Sequence, residues 1–247
     1  MSRFLVPSER WRESEMILSE AESHHLSSVL RLREGDIVTV FDGRGRESDA
    51  LVLRSRPDAV MLRLLRPPAP LPVDLGLELT LGQAVPKGHG MDEIVRQATE
   101  LGLARLVPLA AERIVPRWSP VEAESRVARW RRLAVSAAKQ CGLNRLPEIE
   151  SLCPPAALAD RIASFDVAFI GSLQPEARPF RDAIIPWRER CPRRVLLMIG
   201  PEGDFTPAEN AAACRAGALP VSFGPLVLRV ATAALYGLSV LRYELGP

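Results

Sequence analysis

Residues 195–209 read VLLMIGPEGDFTPAE, and the order of chemistries along them fixes a fold class. Residues 195–199 are short and continuously apolar, the pattern of a parallel strand covered on both faces. Gly200, Pro201, Glu202 and Gly203 break the run. Thr206 then reads as an N-cap, with Pro207 at the first helical position and Glu209 completing a capping box. Strand, glycine turn and helix together form the repeating unit of an open α/β sheet, in which ligands lie outside the carboxyl ends of the strands. The turn lacks Lys, Walker spacing and G-x-G-x-x-G, and it carries Glu202 and Asp204. It is therefore a poor phosphate cradle and suits a neutral or cationic ligand better. Taken alone, Gly200 and Gly203 need do no more than permit a sharp bend.

The same alternation extends in both directions. Strand-like runs at 77–83, 106–109, 167–171, 195–199 and 220–223 are separated by helical patterns. One is the face made by Met91, Ile94, Val95, Ala98 and Leu101, ended by Gly102; others are an Arg- and Ala-rich helix over 121–141 and an apolar one over 232–245. That order predicts a mostly parallel sheet with helices on both faces. Upstream, RPPAPLP at 66–72 holds four prolines in seven residues and marks a boundary, giving domains 1–70 and 73–247. In the smaller piece, strands are predicted at 36–41, 49–54 and 59–65, with DGRGR as a hairpin loop, so a compact β-barrel-like module is expected. Within it, SEAESHHLSSVLRL (19–32) places His25, Leu26, Val29 and Leu30 at helical spacing. No internal repeat is visible.

Composition narrows the classes. With 47% apolar and 25% charged residues among 247, the chain reads as an ordinary globular protein. It has no uncharged apolar run of membrane-spanning length, and MSRFLVPSER lacks the apolar core of a signal peptide, so a cytosolic protein without membrane attachment is expected. Cys141, Cys153, Cys191 and Cys214 are scattered, which predicts reduced, mostly buried thiols and neither zinc nor a disulfide framework. Net charge is only +2, yet Lys87 and Lys139 are the only lysines. An arginine-dominated basic set suits RNA, although genomic base composition accounts better for the bias taken alone.

Three strand ends finish in turns within a short stretch: FIGSLQPEA (169–177), MIGPEGDF (198–205) and SFGPLVLRVATAAL (222–235). Adjacent strand ends of this kind can form one pocket of backbone groups and apolar side chains, shaped for a flat adenine. With HHLSSVLRLREGD, VFDGRGRE, PKGHGMDEIVRQATELGLARLVPLAAERIV and AAKQCG, in this order, the chain resembles the ribosomal RNA small subunit methyltransferase E family over nearly its whole length. That family methylates N3 of a uridine in the decoding region of 16S rRNA. The resemblance implies an α/β fold of SPOUT type, with a trefoil-knotted, mostly parallel sheet and a small N-terminal PUA-like β-barrel. It also implies a homodimer using S-adenosyl-L-methionine, acting on 16S rRNA or the small ribosomal subunit, with no metal and no DNA partner.

Carried over by position, the resemblance assigns the cofactor to Gly171 and Leu173, to Ile199, Gly200, Pro201 and Gly203, and to Phe223, Gly224, Leu226 and Leu228. Arg229 becomes the catalytic or uridine-orienting group, able to stabilise charge on the uracil oxygens but not to act as a base. Glu202 is a candidate base, and satisfying backbone amides in the turn is an equal alternative. His25, Arg31 and Arg33 in the small domain, and Lys87, Arg113 and Arg145 in the large one, are RNA-contact candidates, each equally readable as solvated surface charge; His24 reads equally as a helix-packing residue. The chain departs from the family pattern at Leu226, Ala231 and Leu143–Asn144, removing two arginines and a carboxylate. In a typical member, the arginine and carboxylate at the positions of Leu226 and Ala231 can pair, so losing both leaves no buried charge alone. A non-catalytic RNA-binding or ribosome-assembly protein and a small-molecule nucleotide enzyme remain alternatives. The final apolar helix is a candidate dimer surface, with ordinary core packing as its alternative.

Overall fold

The computed structural model describes residues 2–11, 15–70, 75–114 and 118–247. The chain forms two compact units, Met1–Asp74 with Val135–Leu146, and Leu75–Ala134 with Pro147–Pro247. The later part of the proline-rich boundary, residues 71 and 72, lies outside the described residues.

The first unit contains β1 (Arg3–Leu5), β2 (Glu15–Ile17), α1 (Glu20–His24), β3 (Ile37–Phe41), β4 (Arg46–Arg54), β5 (Met61–Leu64) and β6 (Ala69–Pro70). Its sheet runs β1-β3-β4-β5-β2, with β6 on β4; β1 and β3 are parallel and the other pairs antiparallel. Phe4 of β1 and Met16 of β2, at opposite ends of that order, share one core with Leu26, Val38, Val40, Val52 and Leu62. A sheet whose two edges meet over one core is barrel-like, as the alternating strands predict. Residues 69 and 70, read from sequence as linker, pair as a short edge, where proline costs no ladder bond.

Ser19 caps α1 by accepting from the Glu22 amide, and the helix then widens into a π turn over His25–Val29. A π turn shifts the angular register of the residues beyond it. Leu26 is therefore buried while Val29 and Leu30 face solvent, although all three fit one α-helical face in the sequence. His24 is exposed and Ser23 is buried in its place.

Residues 135–146 group with this unit through backbone pairing. The Asn144 side chain donates to the Gly45 carbonyl at 2.7 Å, and the Leu146 amide donates to the Gly43 carbonyl at 2.9 Å. Arg145, expected in the larger domain, thus lies against Gly43 and Arg44 in the smaller unit. Asn144 is buried by this clamp, which explains an uncharged residue there.

The second unit contains β7 (Glu78–Ala84), α2 (Gly90–Glu100), β8 (Arg105–Leu109), the first part of α3 (Pro120–Cys141), β9 (Glu148–Ile149), α4 (Pro155–Ala159), β10 (Val167–Gly171), β11 (Arg178–Pro179), α5 (Phe180–Arg188), β12 (Arg194–Ile199), α6 (Pro207–Arg215), β13 (Leu219–Ser222) and α7 (Val230–Leu245). All seven strands pair in parallel, in the order β11-β13-β10-β12-β7-β8-β9. Val195, Leu197 and Ile199 pack on one face with α2, α3, α5 and α7. Leu196 and Met198 pack on the other with α4 and α6. A strand covered on both sides has no polar face, which is why 195–199 is continuously apolar. Two-residue β9 and β11 carry too little pattern to be read from sequence.

On one face, α7 approaches so closely that a Cβ at Gly237 would lie 2.6 Å from Leu197 Cδ2. Arg129 of α3 pairs with Asp92 of α2 at 2.5 Å, and this hydrogen bond holds the Asp92 carboxyl below the usual carboxylate range. The four cysteines are free, but Cys141 and Cys191 are exposed rather than buried. Burial pushes the Cys153 and Cys214 thiols up.

Candidate functional site

Sheet register brings the candidate residues together. Ile199 pairs with Gln83, Ile170 with Met198, and Gly171 with Val221, so β7, β12, β10 and β13 end almost level. The loops after β10, β12 and β13 meet around one cleft. It is lined by Gly171, Leu173, Ile199, Gly200, Pro201, Phe223, Gly224, Leu226 and Leu228, nine of the ten cofactor positions expected from the sequence. Arg229 and Glu202 line it as well. Gly203 is the exception: its carbonyl accepts from Arg113 Nη1 at 2.7 Å instead. The sequence reading assigned no cofactor role to Ser172, Val221, Ser222, Val227, Val230 and Ala233, which also line the cleft, and read Asp204 only as a carboxylate facing the ligand. Each lies within four residues of an expected position, so strand-end proximity was the only signal available.

The loop after β12 is held by its own carboxylates. The Asp204 amide closes the turn onto the Pro201 carbonyl at 2.9 Å, and Glu202 Oε1 accepts from the Lys87 amide at 2.9 Å. Asp204 accepts from the Leu173 and Phe205 amides. The acidic side chains, read from sequence as facing a ligand, are thus engaged with backbone amides while lining the cleft. Thr206 and Glu209 form the predicted capping box, and the second Glu209 oxygen accepts from the Glu112 amide at 2.9 Å. Gly200 is needed where it stands, because a Cβ there would come 2.9 Å from the Phe205 amide nitrogen.

The loop after β13 differs. Phe223 is fixed by edge-on contacts to Phe180 at 5.1 Å and Tyr236 at 5.6 Å. Beyond it, Leu226 and Val227 are each 75% exposed, and α7 begins at Val230, two residues earlier than its apolar run predicts. Arg229 therefore occupies the N-cap with no side-chain capping bond. Among the described residues its guanidinium makes no hydrogen bond or ion pair. Ala231 packs against the core.

The other candidates fall into two groups. Lys87 and Arg113 stand beside the β12 loop. His25, Arg31, Arg33 and Arg145 belong to the first unit. There Arg31 adopts a left-handed φ of 55°, and the Arg33 amide donates to Asp36.

The cleft fits a flat heterocycle on a polar tail. A Cβ at Gly171 would lie 3.1 Å from Ile199 Cδ1 and 3.2 Å from Phe223 Cε2, filling space between two walls. Glycine leaves the backbone there reachable. Leu226, Val227 and the 61% exposed Leu173 form an apolar rim that such a ring would cover. Among the described residues, no group of three or more His, Cys, Asp or Glu is placed to hold a metal ion, and no helix is long and apolar enough to cross a membrane.

Residues 73–242 match the model of the RNA methyltransferase domain, and residues 18–60 that of the RNA methyltransferase PUA domain. The chain is 31% identical over 238 residues to a ribosomal RNA small subunit methyltransferase E of Synechocystis, covering 96% of this chain and 76% of that one. It is 30% identical to the Mycobacterium tuberculosis protein of the same name, over 88% of this chain and 82% of the relative. Among solved structures, a Legionella pneumophila methyltransferase in complex with SAM matches with a TM-score of 0.89 and 30% identity, covering 100% and 99% of the two chains. A Neisseria gonorrhoeae ribosomal RNA small subunit methyltransferase E bound to S-adenosyl methionine matches with a TM-score of 0.89 and 28% identity, over 100% and 98%.

Proposed function

Because the chain belongs to the ribosomal RNA small subunit methyltransferase E family, we propose that it methylates N3 of a uridine in the decoding region of 16S rRNA, using S-adenosylmethionine. The carrying observation is the convergence of three strand-end loops on a cleft with, at its edge, an arginine that has no partner among the described residues.

Bound there, S-adenosylmethionine supplies a methyl group on an electrophilic sulfonium. The apolar side chains of Leu173, Leu226 and Val227 at the cleft would offer its adenine an apolar contact. Backbone groups of Gly171 and Ile199, which line the cleft, would be available to its polar atoms. Displacement at the methyl carbon needs N3 as an anion, so a proton must leave the uracil and negative charge must spread to its oxygens. Arg229, whose guanidinium has no competing partner among the described residues, meets that charge as a cation. A guanidinium does not give up its own proton at neutral pH, so the acceptor is another group. Glu202 is the candidate: Oε1 holds the Lys87 amide, while Oε2 has no hydrogen-bond partner among the described residues.

The basic residues His25, Arg31, Arg33 and Arg145 of the first unit, with Lys87 and Arg113 beside the cleft, position the RNA through phosphates. The final helix α7, on which Tyr236 and Tyr243 are exposed, suits a homodimer contact. The family's trefoil knot belongs to the same reading. A ribosomal substrate places the protein in the cytoplasm.

Transfer of labelled methyl from S-adenosylmethionine to 30S particles or 16S rRNA from a strain lacking the modification tests the reaction. Label on uridine N3 is expected. Cofactor binding without any transfer favours the alternative of a non-catalytic RNA-binding protein on the same fold.

A further inference from the structure

Asp204 has no catalytic assignment, yet it occupies a constrained position in the cleft. Its φ of 61° lies in the left-handed region, which glycine enters at no steric cost and aspartate only with some strain. If the turn required backbone shape alone, glycine would serve better. What aspartate adds is a carboxylate with both oxygens in use. Oδ1 accepts from the Phe205 amide at 2.8 Å, inside its own loop, and Oδ2 accepts from the Leu173 amide at 2.9 Å, in the loop after β10. Leu173 and Asp204 both line the cleft, on different walls. One side chain therefore ties two walls together with charge-assisted hydrogen bonds. Asparagine tolerates the same φ but has one acceptor oxygen, so it can hold only one of the two amides.

We propose that Asp204 is a positioning residue that sets the spacing between the β10 and β12 walls, and thereby the affinity for the cofactor. The proposal rests on the reading of the cleft as the S-adenosylmethionine site. Its consequence is a division of labour: Asp204 acts on cofactor binding, and Arg229 on the uridine.

The test is a calorimetric titration of S-adenosylmethionine into the full chain and into Asp204→Gly and Asp204→Asn, with melting curves and methyl transfer at saturating cofactor. Releasing the tie in Asp204→Gly should weaken binding about tenfold, and Asp204→Asn about threefold, because misplacement of a wall is felt by the bound group. Transfer at saturation should stay within about twofold, and the melting temperature should fall by only a few degrees, since glycine relieves backbone strain while the two bonds are lost. Binding by both variants as tight as in the parent chain overturns the proposal, as does a loss of saturated turnover as large as the loss of affinity. If Asp204→Gly fails to fold, Asp204→Asn, which keeps the backbone preference, decides alone. Failure of the parent chain to bind overturns the cofactor reading instead.

Discussion

The turn after β12 and the turn after β13 leave neighbouring regions of one parallel sheet, lead into helices and wall the same cleft, but they are built in opposite ways. The first is satisfied from within. Its carboxylates hold amides from three segments, its helix starts with a complete capping box, and Phe205 is buried beneath it. The second has local bonds between Ser222 and Gly224, two largely exposed aliphatic side chains, and a helix that begins at an arginine with no side-chain cap. A wall that must present fixed geometry to a small molecule gains from such internal bonding. A wall that must meet a large polymer keeps its side chains unspent, and with few buried contacts it belongs to the low-stability end of the structure. Rigidity and availability are thus divided between two loops.

The largest expected effect tests the available wall. Arg229→Ala should lower methyl transfer by about 10²–10³-fold, the size of a lost charge-stabilising donor, without shifting the melting temperature. Near-normal turnover would break the assignment. On the opposite wall, Glu202→Gln keeps an oxygen for the Lys87 amide while removing the base. We expect turnover to fall about a hundredfold with cofactor affinity retained; unchanged turnover would reduce Glu202 to a clamp and make the first wall wholly structural.

Glu209→Ala should affect folding instead, by about 1–2 kcal/mol for the lost cap, seen as a melting temperature several degrees lower. A shift as large on Arg229→Ala would erase the contrast. The smallest effect concerns the rim: Leu226→Arg should leave stability unchanged and steepen the salt dependence of RNA binding by about one unit of slope. An unaltered slope would show that this rim does not meet phosphate.

The contrast was partly legible in the sequence. Both turns could be located, because a doubly covered strand must be apolar and a helix start must satisfy its amides. The spacing of Thr206 and Glu209 predicts the cap they form. An amide-holding role for Glu202 was legible, but the distant partners of Glu202 and Asp204, Lys87 and Leu173, were hidden, being joined only by sheet order. The unit to which Arg145 belongs was hidden for the same reason, since its neighbours Gly43 and Arg44 are about a hundred residues away. Exposure of Val29 and Leu30 follows from a π turn, and no residue type in that segment demands one.

The scarcity of lysine has a practical consequence. Lys139 Nζ is engaged by Glu22 and mostly buried, whereas Lys87 is exposed beside the β12 loop, its amide bonded to the cleft-lining Glu202. Apart from the α-amino terminus, an amine-selective reagent therefore meets one open address on this protein. A dye or isotopic tag placed there would report ligand entry and loop displacement from the mouth of the cleft, with no engineered cysteine and no background from a lysine-covered surface.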